Sequence, residues 1–143
     1  MAHLTTDDLL NQLRSADSVS KLAEYTADLS AHTKFRTFSE YMTAYLKEHD
    51  LSESKLIQNS QIQRNYAYQI LNGSKNPGRE KALALCLSAG MNYEETQRAL
   101  ALAGLGKLYP RRKADAVIIF AIEHKLNVFQ TNELLYEGCR LTL

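Results

Sequence analysis

The sequence predicts an all-α fold, and two observations predict it. Only 2 prolines and 6 glycines occur in 143 residues. Apolar residues recur at helical spacing, with almost no strand-like alternation of β-branched residues. Hydrophobic residues make up 45% of the chain, enough for a packed core. The length fits one domain of ordinary size, or a smaller domain with helical additions.

The first part of the chain carries two predicted helices. Thr5 and Asp8 form a capping pair for a helix over residues 6–14. Leu22, Tyr25 and Leu29 share one stripe of a second helix over 18–30. We therefore interpret residues 1–36 as an N-terminal helical extension.

The middle of the chain is divided into short helices. One is predicted over residues 39–49, and Ser52 is a good N-cap for another over 53–59. After a brief turn, the segment QRNYAYQILNG has its apolar residues Ala67, Ile70 and Leu71 at i, i+3 and i+4. This spacing predicts a helix with one buried ridge, ended by Gly73 at positive φ.

Two further helices complete the predicted central domain, residues 37–105. Asn76 and Pro77 suit an N-cap and a first helical residue, for a helix that buries Leu83, Cys86 and Leu87. Asn92 and Glu95 form a capping box for the next helix, which stops near Gly104.

The sequence of residues 106–143, which we call the tail, predicts a C-terminal helical hairpin. Pro110 is expected to start a helix over 110–124, and Asn127 to cap a last helix over 128–137. The segment EHKLN at 123–127 resembles EHDLS at 48–52, and the two favour the same kind of helix end and restart. Residues 116–122 are apolar without a break. The tail is therefore a candidate for self-association or for another protein partner, although it could equally complete one core.

Charge is close to balanced overall but uneven along the chain. The net charge is +1, so bulk charge does not mark a nucleic-acid binder. Residues 54–79, however, contain no Asp or Glu, while they hold four basic residues, four Gln and four Asn. This window includes QRNYAYQILNG. Gln and Asn side chains match adenine in the major groove, and Arg matches guanine.

Two short helices joined by a tight turn, the second polar on one side, are the parts of a DNA-binding helix-turn-helix. Residues 39–102 resemble the lambda-repressor-like, or XRE-type, domain in Leu51-Ser52, in the apolar pattern around Ile57, Ile62 and Ala67, and in the loop from Asn72 to Pro77. The whole chain is also similar to bacterial regulators of this type that carry a tail like LYPRRKADAVIIFAI. The fold implied is a lambda-repressor-like bundle with extra N-terminal and C-terminal helices.

The resemblance implies roles for individual residues. The residues expected to face base edges are Gln63, which also caps the helix, Arg64, Asn65, Tyr68 and Gln69. The residues expected at the DNA backbone are Tyr66, Asn72 and Lys75. This chain keeps an apolar residue at Ile57 but has it where the family usually has Ala, and it has Gln61 in place of the usual turn Gly. It also has Ser60 at an apolar turn position and Glu53 where a Gln often meets phosphate.

Other classes of function find little support in the sequence. The four histidines lack metal-ligand spacing, and Cys86 and Cys139 lie in apolar helix patterns, typical of reduced thiols. Gly104-Leu105-Gly106-Lys107 lacks the remaining residues of a phosphate loop. No secretion signal or membrane span is predicted. We expect a cytoplasmic, non-enzymatic protein without cofactor or metal.

Two functions remain open from the sequence. The first is sequence-specific binding of double-stranded DNA by a bacterial or phage-type transcriptional regulator, as a homodimer because one helix-turn-helix reads a half-site. The second is a degenerate helix-turn-helix that serves as a protein-interaction adaptor, with the polar helix face merely solvated.

Overall fold

The computed structural model describes residues 35–143, of which 37–143 form one compact unit. The helices predicted over 6–14 and 18–30 lie outside the described residues. Within 35–143 there are seven α-helices and no strands, as the all-α prediction requires. They are α1 (Phe38–Glu48), α2 (Glu53–Ser60), α3 (Arg64–Leu71), α4 (Arg79–Ala89), α5 (Tyr93–Leu102), α6 (Lys113–Glu123) and α7 (Val128–Cys139). Each of these helices is too short or too polar to cross a membrane.

Helix starts follow the predicted caps at four positions, namely Ser52, Gln63, Asn92 and Asn127. The Ser52 hydroxyl accepts from the Lys55 N–H at the start of α2. Asn92 and Asn127 each form a complete capping box, with Glu95 and Gln130 respectively. These caps satisfy backbone donors that the first helical turn leaves without a partner.

Three helix connections share one geometry. After α1, α4 and α6 comes a residue at positive φ (Asp50, Gly90 or Lys125), then a hydrophobic residue, then the next N-cap. The hydrophobic residue donates its N–H to the carbonyl five residues earlier, at 2.8 Å after α1, 3.2 Å after α4 and 2.9 Å after α6. EHDLS and EHKLN are therefore alike because both end one helix and start the next with the same geometry.

Helix α4 is the centre of the unit. Seven of its eleven residues are buried, and they lie on every side of the helix: Ala82, Leu83, Ala84, Leu85, Cys86, Leu87 and Ala89. Helices α2, α5 and α7 pack against α4. Leu83 borders a small cavity together with Ile118 of α6 and Leu135 of α7.

An ion pair joins the start of α4 to α6. The Arg79 guanidinium donates two parallel hydrogen bonds to the Asp115 carboxylate, both 2.9 Å long. It also donates to the carbonyls of Gly106 and Lys107, at 2.9 and 3.1 Å. The Asp115 side chain is only 2% exposed, so this pair fixes the loop between α5 and α6.

Two predicted helix starts are wrong, both at prolines. Helix α4 begins at Arg79 with Gly78 as N-cap, and Pro77 is buried in the preceding loop. Helix α6 begins at Lys113, because Pro110 instead occupies a turn that the Arg112 N–H closes on the Tyr109 carbonyl, at 3.0 Å. Proline suits the second position of such a turn as well as it suits a first helical residue.

Candidate nucleic-acid interface

Helix α3 has one buried face and one open face. Ala67, Ile70 and Leu71 are buried, as their spacing predicts. Asn65 and Gln69 are four residues apart, and both are exposed on the side opposite this ridge. Among the described residues, neither side chain makes a hydrogen bond. Their amides are therefore available to an external partner.

Arg64 and Tyr68 form the edge of α3 that faces α2. The Arg64 guanidinium lies 5.7 Å from the centre of the Tyr68 ring, within cation–π range. Both side chains border a groove between α2 and α3, whose other walls are Ser54, Ile57, Gln58 and Ile62. The ring restricts the orientations of Arg64 before any partner binds, and this lowers the entropy that binding must remove.

Gln63 lies at the N-terminus of α3 and is already partly engaged. Its side-chain oxygen accepts from the Tyr66 N–H at 2.8 Å, so Gln63 is the N-cap that the sequence predicts. The side-chain amino group remains free to donate. In this conformation Gln63 can donate to a base or a phosphate, and a paired contact with adenine would have to use an oxygen that already accepts from Tyr66.

The loop after α3 is held in a defined shape. The Ser39 hydroxyl of α1 donates to the Leu71 carbonyl at 2.6 Å, and Gly73 has the predicted positive φ, at 88°. The Asn72 side-chain oxygen accepts from the Ser74 N–H at 2.8 Å, which leaves its amino group free. The Lys75 N–H donates to the Gln69 carbonyl at 3.1 Å, while its side chain is exposed.

The basic side chains on this surface have no carboxylate partner among the described residues. Within residues 35–143, none of the basic side chains Lys55, Arg64 and Lys75 forms an ion pair. Glu53, in the first turn of α2, is the nearest acid in sequence. Tyr66 is half-buried on the flank of α3 away from Arg64. The predicted site residues of α3 and its loop thus lie on consecutive parts of one exposed segment.

Sequence reasoning missed two residues of this surface. Ser54 and Gln58, both exposed on α2, line the same groove as Arg64 and Tyr68. Their i, i+4 spacing on α2 was the available signal, since it puts them on one helix face. Which face of α2 borders α3 depends on tertiary packing, which the spacing does not specify.

The buried thiol of Cys86 is unsuited to nucleophilic chemistry. Burial raises its pKa to about 12, and the negative charge of Glu95 acts in the same direction. A thiol with so high a pKa contains very little thiolate at neutral pH. Cys86 is accordingly a packing residue of α4.

We compared the chain with protein-family models, with curated proteins and with solved structures, and found no match in any of them.

Proposed function

We propose that this protein binds double-stranded DNA sequence-specifically, through a lambda-repressor-like helix-turn-helix formed by α2 and α3. The observation that supports it best is the open face of α3. Asn65 and Gln69 project from it without internal hydrogen bonds, beside Arg64, which has no ion pair among the described residues. Side chains left unsatisfied at the surface in this way suit the reading of base edges.

Each side chain has a role that its chemistry allows. Asn65 and Gln69 can pair with adenine through N6 and N7, and Arg64 with guanine through O6 and N7. Tyr68 orients Arg64 and can contact a thymine methyl group. Gln63 serves as an additional donor.

The loop after α3 suits the phosphate backbone. The Asn72 amino group and the Lys75 ammonium are donors without a competing acceptor side chain among the described residues. Such contacts fix the position of the protein on DNA but carry no sequence information. Tyr66 can pack against a sugar or donate its hydroxyl hydrogen to a phosphate at the side.

We further propose a role as a bacterial or phage-type transcriptional regulator that acts in the cytoplasm as a homodimer. One recognition helix covers only a half-site, and two copies related by a two-fold axis read a palindromic site. Residues of α6 and α7 provide a surface on which a second copy can assemble.

The test is selection of a binding site from random duplex DNA, followed by substitution. Asn65→Ala and Gln69→Ala should each weaken binding to the selected site by about 1–3 kcal/mol, with much smaller losses on unrelated duplexes. Asn59→Ala, which removes an exposed amide on the side of α2 that borders Lys125, is the matched control and should leave both affinities unchanged. Equal losses on both kinds of DNA would argue against base reading by α3.

One observation favours the alternative, a protein-interaction adaptor. Glu53 is exposed in the first turn of α2, where its charge would repel a phosphate. Salt dependence separates the two functions, because neutralising phosphates releases counterions. Lys75→Ala should lower the slope of log affinity against log salt by about one unit.

Lys125→Ala removes the same charge at a different place. Its ammonium donates to the Gly90 carbonyl at the far end of α4 from the 72–78 loop. This control variant should keep the wild-type slope. If DNA binding is weak and neither substitution changes its salt slope, the adaptor function is favoured.

A further inference from the structure

The outer face of α6 carries a stripe of four exposed residues, which we call the α6 stripe. In order they are Lys113, Ala116, Phe120 and Glu123. Spacings of three, four and three residues bring them onto one side of the helix, opposite the buried Ile118 and Ala121. Phe120 is 49% exposed, so about half of the surface of this large apolar side chain faces solvent.

A shallow apolar hollow lies beside the Phe120 ring. Ala116, Val117 and Phe120 line it from α6, and Leu134 lines it from α7. The ring stacks on His124, with 4.0 Å between the ring centres. The same patch of surface therefore contains both a projecting aromatic ring and a depression next to a small residue.

The two charges of the α6 stripe do not stabilise their own helix. Lys113 is the first residue of α6 and Glu123 the last. Each charge is at the end of the helix where it opposes the helix dipole. Neither forms an ion pair within residues 35–143.

The α6 stripe is complementary to itself when reversed. Residues 113 and 123 are equally distant from residue 118, and so are residues 116 and 120. An antiparallel second α6 centred on Ile118 would bring a positive charge opposite a negative one and a large side chain opposite a small one. Such an arrangement has two-fold symmetry, because each contact occurs twice.

We propose that two copies of this chain associate through the α6 stripe, packed antiparallel about a two-fold axis that passes between the helices, level with Ile118 along α6. Phe120 of each copy fills the hollow beside the other copy's Ala116, and Lys113 pairs with the other copy's Glu123. Because both charge and size match when the helix is reversed, the partner that fits the α6 stripe is a second copy of this chain. The inference does not require DNA binding, since self-association can be measured without DNA.

Charge reversal in the full-length chain tests the pairing. Sedimentation over a range of concentrations should give a dimer for the wild type. Lys113→Glu and Glu123→Lys should each raise the dimer dissociation constant by about tenfold or more, because each variant makes two like-charge contacts. The double variant Lys113→Glu/Glu123→Lys should return to the wild-type value.

Thermal unfolding separates this effect from damage to the fold. Both reversals give α6 charges that suit its own dipole, so neither should lower the melting temperature of the monomer. A second double-mutant cycle exchanges the large and the small side chain of the α6 stripe. Phe120→Ala and Ala116→Phe should each weaken the dimer, and the double exchange should restore it.

Phe129→Ala is the control for the size exchange. Phe129 is 58% exposed on α7 and is not part of the hollow, so its loss should leave the dimer unchanged. A wild-type chain that stays monomeric would overturn the proposal. So would a dimer that the double variants fail to restore, or one that no α6 substitution weakens.

Discussion

Asp115 accepts hydrogen bonds from Arg79 and from the Tyr109 N–H, and these surroundings determine how its pKa responds to folding. Burial raises the pKa of the carboxyl group. The hydrogen bonds from Arg79 and Tyr109, together with the charges of Arg79 and Arg112, lower it by more. The net result is a pKa below the ordinary value of 3.8. The ionised form is therefore the one that the folded state favours.

Acid should lower the free energy of unfolding through the Asp115 carboxyl group, and Asp115→Asn tests this. The unfolded carboxyl group binds a proton more readily than the folded one does. Its contribution is complete above the ordinary pKa and is lost as the pH falls through the lower folded value. At neutral pH the substitution leaves Arg79 without its charge partner, at a cost of about 3 kcal/mol.

Urea unfolding at a series of pH values provides the measurement. Below about pH 4, the free energy of unfolding should fall less steeply for Asp115→Asn than for the wild type. Glu137→Gln, an exposed carboxylate on α7, should retain the wild-type slope. Identical slopes for the wild type and Asp115→Asn would place the acid sensitivity elsewhere.

Gln61 is a second residue that affects stability locally, because its backbone conformation is strained. It ends α2 with φ at 62°, a conformation that a side chain disfavours and glycine accepts. Gln61→Gly should stabilise the protein by about 1 kcal/mol in chemical unfolding. Gln58→Gly, in the exposed interior of the same helix, should destabilise it by about 1 kcal/mol. Equal effects of the two substitutions would contradict this explanation.

Among the helices, starts marked by a side chain that caps its own first turn were predictable from sequence. Ser52, Asn92 and Asn127 are such caps, and each contact spans only three residues. The starts near Pro77 and Pro110 were not predictable, because a fixed φ suits a turn as well as a helix. At both positions the arrangement involves Arg79, whose partner Asp115 is 36 residues away in sequence.

The candidate site was predictable to a similar extent. Three buried residues of α3 determine which side chains face outward, so Asn65 and Gln69 follow from spacing alone. The groove that brings Ser54 and Gln58 beside Arg64 depends on how two helices pack. Gln63 was also predicted as the N-cap of α3, and its oxygen accepts from the Tyr66 N–H only three residues away.

The end of α3 gives a prediction at the scale of one helix. Gly73 has φ at 88°, and a Cβ there would meet Ser39 Oγ at 3.5 Å, an ordinary contact. Backbone strain alone should therefore make Gly73→Ala cost about 1–2 kcal/mol in chemical unfolding, and Gly73→Val somewhat more. Gly106→Ala, with open space around it and no positive φ, should be close to neutral. A neutral Gly73→Ala would mean that α3 ends elsewhere.

For the molecule as a whole, the position of α4 connects the candidate DNA surface to the tail. One face of α4 packs on α2, while Leu83 and Leu87 border residues of α6, α7 and the turn between them. Arg79 connects the same helix to Asp115 and to the loop that precedes α6. The tail therefore supports the helix against which α2, the first helix of the proposed helix-turn-helix, packs.

Whether residues 37–105 are an independent domain, as the sequence predicts, is a question of free energy. Removing residues 106–143 exposes Leu83 and Leu87, at about 1.5–3 kcal/mol each, and also deprives Arg79 of Asp115. These losses are comparable to the 5–15 kcal/mol that typically stabilises a domain. We therefore expect a chain ending at residue 105 to lose most of its cooperative thermal transition, measured by circular dichroism. A chain carrying Phe129→Ala, in which the tail is present and a 58% exposed side chain outside the hollow is shortened, should melt close to the wild type. If the shortened chain instead melts cooperatively at the wild-type temperature, residues 37–105 fold independently, and the tail serves association alone.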